Sequence, residues 1–250
     1  MYEIENGEMH PNFPTCWRAA GIHLQNQVQG KLSWLKANHD GPSLEHLSFR
    51  LGNQLFFIRI EDDDGEVSGP GGVKGLLTIA HGCAGVPCIM PMRLRNAQWE
   101  TTAPGWGLVH AETGTAVDPV ALITEEKIEM TAWELQDFAV QVIRDHLRKQ
   151  GKQVTSTQSN PSVDPSIWLA GEFGPEYVIV RSARHPASPP VLPQNLETIV
   201  ESCSKLSRRG YFASVVVANS DDPFLPNVVS ALPLWRGHAL VVRFDGLKAI

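Results

Sequence analysis

The stretch SIWLAGEFGPEYVIVR (166–181) decides how this chain is read. Two short apolar runs, Ser166–Ala170 and Tyr177–Ala183, flank a segment holding Gly171 and Gly174-Pro175. Extended runs around a glycine-bearing break predict a β-hairpin. Upstream, Thr131-Ala-Trp-Glu134 has the form of a capping box, in which hydroxyl and carboxylate each satisfy an orphan backbone N–H. Leu135, Phe138, Ala139, Val142, Ile143 and Leu147 recur at helical spacing, so a helix is expected over 131–150, stopped by Gly151. A strand over 152–158 follows. Downstream, the proline-rich HPASPPVLP leads to a second helix over 196–206, with Asn195 as a candidate cap. The nearly continuous apolar run Tyr211–Ala218 predicts a strand covered on both faces. Ala239–Phe244 is a last extended segment.

The first half repeats this order. Leu24, Val28, Leu32 and Leu35 predict a helix over Ile22–Ala37. SFRLGNQLFFIR (48–59) reads as a hairpin about Gly52-Asn53. Like 166–181 it opens on a serine, carries a glycine turn and runs apolar into an arginine, here Arg59. A helical or extended stretch Val73–His81 then leads to a strand Val86–Leu94. The fold expected is therefore α/β, as two packed halves, each a small mixed sheet flanked by helices. The halves are residues 1–126 and 127–250, related by internal duplication.

Charge narrows the function classes. The net charge is −6, which disfavours a dedicated nucleic-acid binder and favours a protein partner. Residues 1–126 carry 8 basic and 15 acidic side chains, residues 127–250 carry 13 and 12. Only the second half could offer phosphate a basic face, through Arg144, Arg148, Lys149, Lys152, Arg208 and Arg209. No apolar run nears the ~20 residues of a membrane span. The acidic start MYEIENGEMH is not a secretory signal, and four cysteines in 250 residues make no disulfide scaffold. The cytoplasm is the expected compartment.

Residues 131–220 resemble the restriction-endonuclease-like, or PD-(D/E)xK, superfamily, on the order helix, strand, hairpin, helix, strand. In that family an acid opens the second strand and an acid–x–lysine triplet lies on the third. Two carboxylates hold Mg²⁺ and the lysine stabilises charge at the attacked phosphate. Asp164, in VDPSIWL, matches the first acid, and Glu134 stands where many members carry a supporting carboxylate. The triplet is broken: Ile179 falls at the second acid and Arg181 at the lysine. In the first half the matching positions are Phe57 or Ile58, then Arg59. The resemblance implies a degenerate nuclease fold kept for non-catalytic binding of a macromolecular partner, through Arg181, Arg59, Arg144, Arg148 and Lys149. The alternative is a Mg²⁺-dependent nuclease with migrated acids, using Glu134, Asp137, Asp164 and Glu176, with Glu134 and Asp164 on the metal. Strand alternation leaves Arg181 two settings, an ion pair with Glu134 or Asp137 or a solvent-facing anion contact.

Other clusters are weaker. His81, Cys83 and Cys88 lack the four ligands and tight spacing of a structural zinc site, so buried thiols are expected. Gly69–Gly75 lacks the Gly-Lys-Ser/Thr ending of a phosphate loop. The run Glu61–Asp64 has no EF-hand spacing and reads as a charged loop. Trp133 and Trp168 are expected in the core, while Trp99, Trp106 and Trp235 are candidate partner-facing anchors.

Overall fold

In a computed structural model, which describes residues 9–36, 46–224 and 231–250, the chain divides into two compact units, Met1–Glu126 and Lys127–Ile250. Each is a mixed sheet flanked by helices.

The first unit opens with α1 (Phe13–Gln25) and β1 (Ser33–Lys36). The helix expected over Ile22–Ala37 is thus replaced by the end of one helix, a turn and a strand, with Ala37 outside the described residues. The cause is visible in the core. Phe13, Cys16, Trp17, Ala20 and Leu24 form the helical stripe, and Pro14 sits in the first turn, where its missing N–H costs nothing. Leu32 is buried and Val28 half-buried from the connection beyond, so their spacing imitates a helix without belonging to one. Then come β2 (Leu47–Leu51), β3 (Gln54–Asp62), α2 (Val73–Gly82), β4 (Val86–Arg95), β5 (Gln98–Thr101), β6 (Leu108–His110) and β7 (Ala116–Val117). The sheet order is β1-β2-β3-β4-β6-β7, with β5 also on β4, and only β3 and β4 run parallel. The α2 crossover makes that parallel step possible.

The second unit comprises α3 (Ala132–Lys149), β8 (Gln153–Thr157), β9 (Ile167–Gly171), β10 (Gly174–Arg184), α4 (Leu196–Cys203), β11 (Gly210–Asn219), β12 (Leu240–Phe244) and β13 (Lys248–Ala249). Its order is β12-β11-β10-β9-β8, with β13 on β11, and again only the pair spanned by a helix, β10 and β11, is parallel. Both halves therefore run helix, three-stranded antiparallel meander, crossover helix, parallel strand, antiparallel strand. The capping box forms as the sequence predicts. Thr131 Oγ1 accepts from the Glu134 N–H, and a Glu134 carboxylate oxygen accepts from the Thr131 N–H at 2.8 Å. Asn195 makes no side-chain cap bond at the start of α4.

Each face of this sheet has its own helix. Leu135, Ala139, Val140, Ile143 and Leu147 of α3 pack on Ile167, Leu169, Val178, Val180, Ala213, Val215 and Val217. Ile199 and Cys203 of α4 pack on Tyr177, Ile179 and Phe212. Alternation along β10 thus assigns even-numbered residues to α3 and odd-numbered ones to α4.

The hairpin registers correct the matching of the two halves. Counted from the turns at Gly52–Asn53 and Glu172–Phe173, Ile58 and Ile60 fall level with Val178 and Val180, all four being buried. In that frame Arg59 is level with Ile179, and Glu61 with Arg181. The arginines of the two hairpins are offset by two residues. What coincides is the buried alternation, because burial and not residue identity fixes register.

Candidate functional site

The last residues of β10 gather most of the charged side chains singled out above. Asp164 lies in the connection between β8 and β9. Gln158 braces that segment, its Nε2 donating to the carbonyls of Val163 and Pro165 while its Oε1 accepts from the Asn160 N–H. Ser166 ties the segment to β10, its N–H donating to the Val178 carbonyl and its Oγ accepting from the Val180 N–H. Asp164 is thereby brought beside Arg181, whose Nη1 and Nη2 donate to the two carboxylate oxygens at 2.8 and 2.6 Å. Nη1 also donates to the Val180 carbonyl at 3.0 Å. The Asp164 side chain is 10% exposed and that of Arg181 23%. Ile179, two residues back on the same face, is fully buried among Tyr177, Ile199, Cys203 and Phe212. Burial pushes the Cys203 thiol up to about 11, with the nearby Asp164 carboxylate adding to the effect.

The ion pair expected from Arg181 to Glu134 or Asp137 does not form. Arg181 is odd-numbered and faces α4, whereas both acids ride on α3 behind the opposite face. Glu134 is instead gripped by Arg236, whose Nε and Nη2 donate to its two oxygens at 2.8 and 2.9 Å, and the Arg236 side chain is only 2% exposed. Asp137 accepts from Gln141, one turn along its own helix. Glu176 is buried, faces Arg209 at 3.5 Å and bonds Tyr211, whose phenol is raised first by burial and then by that carboxylate. Glu134, Asp164 and Glu176 thus each pair with a different arginine. Among the described residues no group of three or more His, Cys, Asp or Glu is placed to hold a metal ion.

The basic residues divide. Arg59 lies along Glu61 at 2.9 Å, and its Nη1 donates to the carbonyls of Pro70 and Gly71, tying down the loop before α2. Arg144 pairs with its neighbour Asp145. Arg148 and Lys149 are exposed at the end of α3.

Two residues that anchor this region escaped the sequence reading. Gln136 is buried, with Nε2 donating to the Val180 carbonyl at 2.8 Å and Oε1 accepting from Ser182 Oγ. Arg184 donates to Glu129 and to the Met130 carbonyl. Gln136 lay on the predicted inner face of α3, and a polar residue in an apolar stripe was the available signal.

Elsewhere, His81 is exposed beside Glu112, while Cys83 and Cys88 are buried, and burial pushes Cys88 up to about 12. In the charged loop, the Asp62 carboxylate accepts from the Asp64, Glu66 and Val67 N–H groups. Arg93 pairs with Asp63 and Asp64. The tryptophans named as partner anchors are otherwise employed. Trp106 is buried and stacked near Phe49, Trp99 donates to Thr15 Oγ1, and Trp235 is half-buried in a bridge with Glu129.

The second unit is thus a helix–sheet–helix module with two bidentate arginine–carboxylate pairs, one on each side of its sheet. A family model described as a domain of unknown function (DUF8840) matches residues 133–250, nearly the whole of this unit. No curated protein and no solved structure matches the chain.

Proposed function

We propose that the protein is a non-catalytic binding module on a degenerate nuclease scaffold, present in both halves by duplication, and that its partner is macromolecular. The observation that carries this reading is the Asp164–Arg181 pair. The two positions that resemble the first acid and the lysine of the nuclease pattern, 17 residues apart, meet in space. They meet as a closed, neutral fork. Both Asp164 oxygens are occupied by guanidinium N–H groups, and Ile179 brings no oxygen ligand. Mg²⁺ needs oxygen donors, usually carboxylates, with open coordination positions, so this donor set does not fit the ion. Arginine also does not exchange its proton as lysine can.

The alternative, a nuclease with migrated acids, must recruit Glu134, Asp137 or Glu176. These lie on the α3 side of the sheet, whereas Asp164 turns to the α4 side. The common wiring of the two halves supports the duplication. No helix among the described residues is long and apolar enough to cross a membrane, and a reducing cytoplasm suits four buried cysteines.

The test is direct. Purified protein incubated with Mg²⁺ or Mn²⁺ should leave single- and double-stranded DNA and RNA intact on a denaturing gel. Cleavage that disappears in Asp164→Ala would overturn the proposal in favour of the nuclease.

A further inference from the structure

The end of the second unit remote from Asp164 and Arg181 presents a different chemistry. Three stretches of chain carry it. The β9–β10 turn places Phe173 at the tip. Gln153, beside Lys152, pairs with Ala170 next to that turn. The close of α3 brings Arg148 and Lys149, since the Lys152 N–H bonds back to the Leu147 carbonyl. The link from α4 to β11 brings Lys205, Arg208 and Arg209, since Gly210 is level with Tyr177. All six cations are exposed. Against them stand Glu172 and Glu201 on the surface and Glu176 beneath Arg209.

Two features exceed what helix dipoles explain. Cations in a last helical turn are favoured there in any protein, which accounts for Arg148 and Lys149. Lys152, Arg208 and Arg209 lie beyond the helices and join the same cluster. Phe173 is also 74% exposed, a large apolar ring at a turn tip where a small polar residue would cost less. It is held in place, because the Arg209 guanidinium sits 4.6 Å from the ring centroid. With the cation over one face, the exposed area is the other face and the edge.

We infer that this end of the second unit binds single-stranded nucleic acid. Phe173 stacks on an unpaired base, and the cations on either side of the sheet follow the phosphate backbone. A fixed aromatic platform flanked by exposed cations is the combination that single strands select, since base stacking and phosphate contact add on one strand. Duplex DNA hides its base faces and would meet only the cations. The inference is independent of the state of Asp164 and Arg181, which lie at the other end of β10.

The experiment is fluorescence anisotropy of the full chain with a labelled oligothymidylate of about 20 nucleotides, at about 0.05 and about 0.2 M salt. With roughly four cations on phosphates, the affinity should fall with a log–log slope of about −3. Phe173→Ala should weaken binding about tenfold at both salts and leave the slope unchanged. Lys205→Glu/Arg208→Glu should weaken it by at least a similar factor and flatten the slope. Both variants alter exposed side chains, and unchanged circular dichroism verifies their fold; Arg148→Glu/Lys149→Glu repeats the test from the other side of the sheet. The inference is overturned if the strand does not bind at the lower salt, or if Phe173→Ala binds as wild type. It is equally overturned if duplex of the same length, or polyglutamate, competes as well as the single strand. Running the recovered oligonucleotide on a gel separates this outcome from the catalytic question, because binding without cutting supports both proposals and binding with cutting sinks only the first.

Discussion

Arg181→Ala isolates the role of the Asp164 pair. The substitution leaves a carboxylate 10% exposed without its bidentate arginine partner, while Ile179 and Tyr177 keep the neighbouring surface apolar. Breaking a buried pair by removing one member costs about 3–5 kcal/mol. The Arg181 side chain is 23% exposed, so solvent can reach the vacated space, and about 2 kcal/mol is the appropriate expectation. For a unit of this size each kcal/mol moves the melting temperature by about 4 °C, giving a fall of about 8 °C by scanning calorimetry of the full chain. Arg236→Ala, which strands Glu134 behind a side chain only 2% exposed, should cost more, about 3–5 kcal/mol. The double variant Arg181→Met/Asp164→Leu removes both charges and should recover most of the loss, since the cost lies in the unpaired ion. A melting temperature unmoved by Arg181→Ala would refute the reasoning. So would a double variant in which the two losses simply add.

Two further expectations follow from burial. Cys16 and Cys88 are pushed up to about 12 and Cys203 to about 11, in each case first by burial. A disulfide reagent at pH 8 should therefore modify the native protein slowly and all four cysteines rapidly after denaturation, because thiolate is the reacting form; fast labelling of the native chain would contradict the burial. His46 is buried beside Phe57 and is held well below its ordinary value, first by burial and then by Lys36. The unfolded chain takes up this proton below about pH 6.5 while the folded chain resists it. Its contribution to stability is thus complete above that pH and is lost as pH falls. Denaturation midpoints should drop between about pH 6.5 and 5, and less steeply in His46→Gln.

Much of the fold could be read from the chain because its signals are local. Thr131 and Glu134 are three residues apart and cap one helix, and the runs of β9 and β10 declare themselves by alternation. The misreading over 22–37 arose where core-facing Leu24, Val28 and Leu32 come from different local structures that happen to share a helical spacing. The site was less legible because its contacts are long-range. Glu134 meets Arg236 across 102 positions of sequence, and nothing near either residue names the other. The parity of β10 excludes α3 as the source of a partner for Arg181 only once the structure shows that α3 covers the even-numbered face. Choosing Asp164 instead required the path of the β8–β9 connection, which depends on Gln158 binding backbone groups within that connection and on Ser166 reaching across to Val178 and Val180.

The two halves differ in how they use the same place. At the end of β3, Arg59 pairs with Glu61 on its own strand and donates to the carbonyls of Pro70 and Gly71. At the end of β10, Arg181 pairs with Asp164 and thereby fastens the connection before β9. The positions are offset by two residues and the partners come from different segments, yet in both halves an arginine neutralises a carboxylate and ties a loop to the sheet. A catalytic residue must keep its geometry toward a substrate, and such a requirement would hold the position fixed. A clamp needs only a carboxylate and a loop within reach, so it can move along the strand and change partners. The offset between Arg59 and Arg181 therefore supports the reading of both as clamps. Recognition then falls to side chains not consumed in this way, and Phe173 with the exposed Lys152, Lys205 and Arg208 is such a group in the second unit.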